Sequence, residues 1–316
     1  MKPFPLIELN RNIQGASAVF LPFLGDGKID WSGWEQHLVR TIESGLIPAV
    51  NMDTGYVNRL SPSQRAELLN RAQEIVGNGP LFAGAFVEDR RSDSFDFGAY
   101  RQALETIQAA GATPIIFQSY GLVEGEDQQI FDRYAALAEI SQRFIAFELG
   151  TMFALFGKIY STELFSKLIE LPQCVGLKHS SLSRRKEWRR LEIRNQVRPD
   201  FRLYTGNDLA IDMVMYGSDY LLGLSTFYPE AFAARDRFWR TGHSGFYALN
   251  DALQALGWFA FRDPVPAYKH SAAIALKLNG WIENDSVPWG ETRPESDREV
   301  LRFLLNAIES AMAGND

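Results

Sequence analysis

The sequence has a single cysteine, Cys174, among 316 residues. An intrachain disulfide is therefore impossible, and a cysteine-built zinc site is out of reach. No apolar run approaches the roughly 18 residues that cross a bilayer. The first residues, Met1 to Asn12, hold no apolar stretch of secretory-leader length. Both absences point to a soluble, cytoplasmic protein. Basic charge is also in short supply: Lys+Arg number 32 against 39 Asp+Glu, a net charge of -7. That balance disfavours a binder of nucleic acid or of anionic membrane.

The familiar cofactor and catalytic signatures are missing as well. There is no G-x-G-x-x-G after a strand and no Gly-x-Ser-x-Gly elbow. Gly150 to Lys158 imitates a phosphate loop, but its glycine spacing is wrong and Ile159 stands where a Ser or Thr would hold magnesium. The four histidines, His37, His179, His243 and His270, are scattered, with no H-E-x-x-H pair. The sequence thus gives no reason to expect a cofactor or a metal. Cys174 reads as strand packing rather than as a nucleophile.

What is present is an ordinary globular composition, 46% hydrophobic and 22% charged, arranged with a clear rhythm. Eight short apolar runs recur: Ala16 to Phe23, Leu46 to Met52, Leu81 to Val87, Pro114 to Phe117, Phe144 to Leu149, Cys174 to Leu177, Phe201 to Tyr204 and Tyr220 to Leu224. They are continuous rather than alternating, the pattern of strands buried on both faces of a parallel sheet. Helical signals lie between them. Ser61-Pro62-Ser63-Gln64 forms a capping box with proline at the first helical position. Asp96 and Asn207 are candidate caps, and Gly45, Gly111 and Gly217 sit where helices should stop.

Eight such units predict an α/β fold, a (β/α)8 TIM barrel, over residues 1–240. From about residue 228 the pattern is helical only, which predicts a C-terminal helical appendage, residues 241–316, packed on the barrel. The basic stretch from Arg184 to Arg198 reads as a solvated outer helix with Glu–Arg pairs around buried Trp188 and Leu191, rather than as a phosphate-binding face.

In such a barrel the active site lies at the C-terminal ends of the strands. The polar residues there are Asp53 and Thr54, Glu88 and Asp89, Gln118 and Ser119, Glu148, Lys178, Thr205 to Asp208, and Ser225 with Thr226. Lys178 has the clearest chemistry. Apolar barrel walls disfavour an ammonium and lower its pKa, leaving the neutral amine that attacks carbonyls. Glu148, on the neighbouring strand, is its candidate proton-shuttling or neutralising partner.

Val175-Gly176-Leu177-Lys178-His179-Ser180-Ser181 resembles the sixth-strand motif of the dihydrodipicolinate synthase / N-acetylneuraminate lyase superfamily of class I aldolases. Asp53-Thr54-Gly55-Tyr56 followed by Leu60-Ser61-Pro62 resembles its G-T-T-G-E and L-S stretches. Tyr204-Thr205-Gly206-Asn207-Asp208 resembles S-G-D-D, and Pro264-Val265-Pro266-Ala267-Tyr268-Lys269 resembles the C-terminal N-P-x-P-V-K. The resemblance runs collinearly from about Gln14 to Ile282. It implies a lyase or dehydratase with Lys178 as the imine-forming residue, a small 2-oxo acid or aldehyde as substrate, no cofactor, and a homodimer or homotetramer.

The departures shape the expected site. Asp53 replaces the first of the family's paired threonines, while Thr54 keeps the second. Phe147 stands at the family's catalytic tyrosine, and Glu148 at the asparagine after it. The arginine of the lysine-pathway synthase has no match in Ala154-Leu155-Phe156-Gly157, which argues against that enzyme itself. Lys178, Glu148 and Asp53 are therefore the expected catalytic residues, with the carboxylates taking over acid–base work. Thr54, Gly55, Tyr120, Phe147, Leu222 and Gly223 are the expected substrate-binding residues, Tyr120 as a source of the missing phenol. Two other readings stay open: a barrel that binds a metabolite without catalysis, and a metal enzyme using Glu88, Asp89 and Glu148.

Overall fold

The computed structural model describes residues 7–313. Eight parallel strands close into a barrel in sequence order. They are β1 (Gly15–Ala18), β2 (Ile47–Val50), β3 (Phe82–Ala85), β4 (Thr113–Ile116), β5 (Phe144–Phe147), β6 (Cys174–His179), β7 (Arg202–Thr205) and β8 (Asp219–Leu222), with β8 pairing back onto β1. Each falls within or beside one of the eight apolar runs. The eight-stranded α/β barrel that the sequence predicts is the fold of the protein.

Around the wall run α1 (Trp31–Glu43), α2 (Pro62–Val76), α3 (Phe97–Ala109), the single turn α4 (Tyr120–Val123), α5 (Asp127–Glu139), α6 (Thr162–Leu168), α7 (Arg184–Val197) and α8 (Pro229–Thr241). The local signals do what their chemistry requires. Ser61 and Gln64 form the reciprocal capping box of α2, and Asp96 caps α3 by accepting from Ala99 N. Gly45, Gly111 and Gly217 all take positive φ, the conformation that lets the chain turn away from a helix end without a Cβ clash.

The seventh unit departs from expectation. Between β7 and β8 the chain makes only the 3-10 helix Ile211–Tyr216, and Asn207 does not cap it. Its side-chain oxygen instead accepts from Leu209 N at 3.1 Å, a local turn. The basic segment also departs. It does form α7, but the buried face carries Glu187, Arg190 and Arg194 beside Leu191 and Ile193, while Trp188 is only part-buried.

Three further helices, α9 (Gly245–Ala260), α10 (Tyr268–Leu278) and α11 (Asp297–Ala313), follow the barrel. α9 lies against α8, and α11 against α9 and α10. The start of α10 reaches the strand ends: Tyr268 and Lys269 both bond to Asp53.

Side chains of the strands segregate cleanly. Ala16, Ala18, Ile47, Ala49, Phe82, Ile115, Ile145, Phe147, Tyr204 and Leu221 form the interior cluster. Their neighbours Ile116, Phe144, Ala146, Leu177, Leu203 and Leu222 join the larger cluster that packs against the helices. Alternation along a strand decides the side. No helix among the described residues is long and apolar enough to cross a membrane.

Candidate active site

Phe147, Lys178 and Tyr204 are register partners on β5, β6 and β7. Two of them are interior residues, so Lys178 points into the C-terminal mouth of the barrel. Its Nζ lies 4.1 Å from the centre of the Phe147 ring and 3.4 Å from Ser180 Oγ, to which it donates. Burial against these walls lowers the amine from its ordinary 10.5 to about 8, against the opposing pull of Asp208 first, then Asp53 and Glu148. About one amine in ten is therefore neutral at pH 7, against fewer than one in a thousand for an ordinary lysine.

The cavity around Lys178 is lined by Ala18, Met52, Asp53, Thr54, Phe147, Leu149, Phe153, Ser180, Gly206, Asp208, Gly223, Phe261 and Tyr268. Asp208 is buried, and Leu224 N donates to its Oδ1 at 2.8 Å. Burial raises its carboxyl to about 7, although that bond and Lys178 act in the other direction. Each of the two groups favours the charged form of the other.

Opposite them, the 3-10 turn Asp53–Gly55 after β2 carries Asp53 and Thr54. Tyr268 donates its phenol to Asp53 Oδ2 at 3.0 Å and lies 3.0 Å from Thr54 Oγ1. Lys269 Nζ donates to Asp53 Oδ1, also at 3.0 Å. The Tyr268 ring stacks on Phe261, centroids 4.4 Å apart at 15°. Burial, then the Asp53 charge, raises the Tyr268 phenol well above 10. It therefore keeps its proton until a stronger acceptor appears.

Two glycines keep this space open. A Cβ on Gly206 would meet Ser180 Oγ at 2.7 Å and Lys178 Cε at 3.2 Å. One on Gly223 would lie 3.2 Å from both Thr54 Oγ1 and Tyr268 Cε2.

Of the residues expected from the sequence, Lys178, Asp53, Thr54, Phe147 and Gly223 meet at this cavity. Tyr120 lines the adjoining outer cavity, which shares Asp53, Leu149 and Phe153 with the inner one. Its ring packs on Phe156, centroids 5.6 Å apart. The phenol of the inner cavity is that of Tyr268. Gly55, the last residue of the turn after β2, is buried outside the cavity lining, and a Cβ on it would lie 3.2 Å from Val19 O.

Two expectations are overturned. Leu222 follows interior Leu221 on β8 and so faces the helices, not the cavity. Glu148 follows interior Phe147 and faces outward too. Arg190 of α7 grips its carboxylate through Nη1 at 2.5 Å and Nη2 at 2.8 Å, and Tyr160 N donates to it at 2.8 Å. His179 Nδ1 is 3.0 Å from the same carboxylate. Burial alone would raise the Glu148 carboxyl, but Arg190 and His179 outweigh it and hold it at about 2. Glu148 is thus committed to Arg190, Tyr160 and His179 on the outer side of the barrel wall, away from the cavity that holds the Lys178 amine.

Two of the three carboxylates of the metal reading, Glu148 and Asp89, are committed elsewhere. Asp89 accepts from Tyr120 N and Gly121 N at 2.9 and 2.7 Å. Among the described residues no group of three or more His, Cys, Asp or Glu side chains converges as metal ligands would. Burial pushes the Cys174 thiol up to about 12, as packing in a strand implies.

Sequence reasoning missed Asp208, Ser180, Gly206 and Tyr268 as site residues. Asp208 stood among the strand-end polar residues with nothing to single it out. Tyr268 comes from the appendage, and no local pattern links it to Asp53.

The barrel and its strand-end lysine define a class: the fold is that of the dihydrodipicolinate synthase barrels. A synthase of that family from Thermotoga maritima superposes with a TM-score of 0.77 at 18% identity, over 96% of this chain and 100% of that one. A prophage protein of the dihydrodipicolinic acid synthase family from E. coli K12, solved with pyruvate, gives a TM-score of 0.78 at 16% identity, over 94% and 98% of the chains. A 4-hydroxy-tetrahydrodipicolinate synthase from Kosmotoga olearia is 22% identical over 213 residues, 66% of this chain and 69% of that protein. Within that fold, the chain belongs to the family described as "Protein of unknown function (DUF993)", matched over residues 16–307.

Proposed function

We propose that the protein is a lyase of the class I aldolase type, with Lys178 forming an imine with the carbonyl of a small molecule. The observation that carries this reading is the Lys178 amine. It sits at the barrel mouth against the Phe147 ring, with its pKa lowered to about 8 and a titrating carboxyl, Asp208, lining the same cavity.

Neutral Lys178 attacks the carbonyl carbon, the oxygen takes up protons and leaves as water, and a protonated imine remains. That cation is an electron sink. When a bond between the two carbons next to it breaks, its electron pair flows into the imine to give an enamine. The hydroxyl on the departing carbon loses its proton, and that carbon becomes an aldehyde. Protonation of the enamine carbon and hydrolysis return the amine. Asp208, near 7, is suited to exchange protons at the imine. Tyr268, joined to Thr54 and Asp53, supplies the phenol that Phe147 lacks, from the opposite wall.

The test is reduction with borohydride in the presence of pyruvate, and of other 2-oxo acids and aldehydes, read by intact mass. Wild-type protein should gain one ligand mass with at least one of them, and Lys178→Ala should not. If no carbonyl compound labels the wild type beyond the Lys178→Ala background, the barrel is a binding protein without this chemistry.

A further inference from the structure

The charges around Lys178 narrow the carbonyl compound. This inference rests on the imine reading above. Two carboxyl groups line the inner cavity, Asp53 and Asp208, and Lys178 is the only cationic side chain among its lining residues. Lys269 stands outside that lining with its ammonium already on Asp53 at 3.0 Å, and Arg59 lines only the adjoining outer cavity.

A 2-oxo acid brings a carboxylate to the carbon beside the carbonyl. Once joined to Lys178, its protonated imine would be neutralised by that carboxylate. Here Asp208 stands as the counter-charge of Lys178 and Asp53 is paired with Lys269, so a substrate carboxylate would be a surplus anion with no unpaired cation lining the inner cavity. Like charges in a cavity of low effective dielectric repel far more strongly than in water. The hydrogen-bonding inventory agrees. Carboxylate oxygens on Asp53 and Asp208 accept, and the hydroxyls of Thr54, Ser180 and Tyr268 accept or donate. These groups suit a ligand that presents hydroxyl groups.

We infer that the substrate of Lys178 is an uncharged, hydroxylated aldehyde or ketone with no carboxylate on its carbonyl carbon.

The experiment is borohydride trapping of the full chain near pH 8, with pyruvate, dihydroxyacetone, glyceraldehyde and glycolaldehyde at equal concentration, and Lys178→Ala as the background. At least one hydroxy-carbonyl compound should label Lys178 about tenfold or more faster than pyruvate does. Asp53→Asn, its fold checked by thermal melting, should raise pyruvate labelling about tenfold by removing one opposing charge. Pyruvate labelling the wild type as fast as the hydroxy-carbonyl compounds overturns the inference while leaving the imine reading intact. An absence of labelling by all four compounds sinks both.

Discussion

Phe147 and Glu148 are neighbours in sequence, as are Lys178 and His179, yet each pair divides between two regions of opposite character. On the inner side, Lys178 holds one weak hydrogen bond and rests on an aromatic ring. On the outer side, Glu148 takes two bonds from Arg190, one from Tyr160 N, and lies 3.0 Å from His179. The network continues to Glu187, which accepts from Ser218 at 2.6 Å and Thr205 at 3.2 Å. Glu148 is fully buried and Lys178 largely so, and partners make the main difference. Where partners are few, burial wins and moves the amine toward neutrality. Where they are many, they outweigh burial and drive the acid far from it. The proposed chemistry belongs to the first region, and the second holds the wall of the barrel to its helices.

The largest effect should come from Lys178→Ala, which removes imine trapping completely while the protein still folds. Burying an ammonium costs stability, so Lys178→Met should melt higher than wild type at neutral pH. The sign follows from the folded pKa, about 8, lying below the ordinary 10.5. Between those values the unfolded chain binds the extra proton. The wild type should therefore gain on Lys178→Met as pH rises from about 8 to about 10.5.

Tyr268→Phe comes next. If its phenol relays protons, turnover of a trapped carbonyl compound should fall by about 10²–10⁴, while the adduct still forms. Equal turnover would assign Tyr268 to holding Asp53 alone.

On the outer side, Arg190→Ala should lower stability by about 3–5 kcal/mol in urea unfolding, because Glu148 is left charged and buried. Replacing both partners with apolar residues of similar volume should cost less than that single change.

The smallest effect sharpens the boundary between the regions. Asp208 is the carboxylate that most strongly raises the Lys178 amine, with Asp53 and Glu148 behind it. Asp208→Asn should shift the pH midpoint of trapping below about 8, by about one unit. Glu148→Gln should move it less. The reverse ranking would mean that the outer network, not the cavity, tunes the amine.

How much of this could be read beforehand depends on the kind of signal. The eight strands were legible because each is a short, continuous apolar run. That same continuity hid which side each residue faces: Phe144 to Leu149 is apolar on both sides, so Glu148 could not be assigned outward from its pattern. Leu222 was misassigned for the same reason. Asp53 and Lys178 were legible as polar ends of strands, and the motif around Lys178 carried it further. Tyr268 was not, because its partner Asp53 lies 215 residues earlier and only the packing of α10 joins them. The missing helix between β7 and β8 had a candidate cap in Asn207, whose side chain is used in a local turn instead.

In the proposed mechanism the inward-facing amine of Lys178 does the chemistry. The most direct measurement is to digest the borohydride-reduced adduct and locate the modified lysine by tandem mass spectrometry. The label should fall on Lys178, with Lys269 and Lys158 unmodified. A label confined to any other lysine, with Lys178 unmodified, would contradict that mechanism.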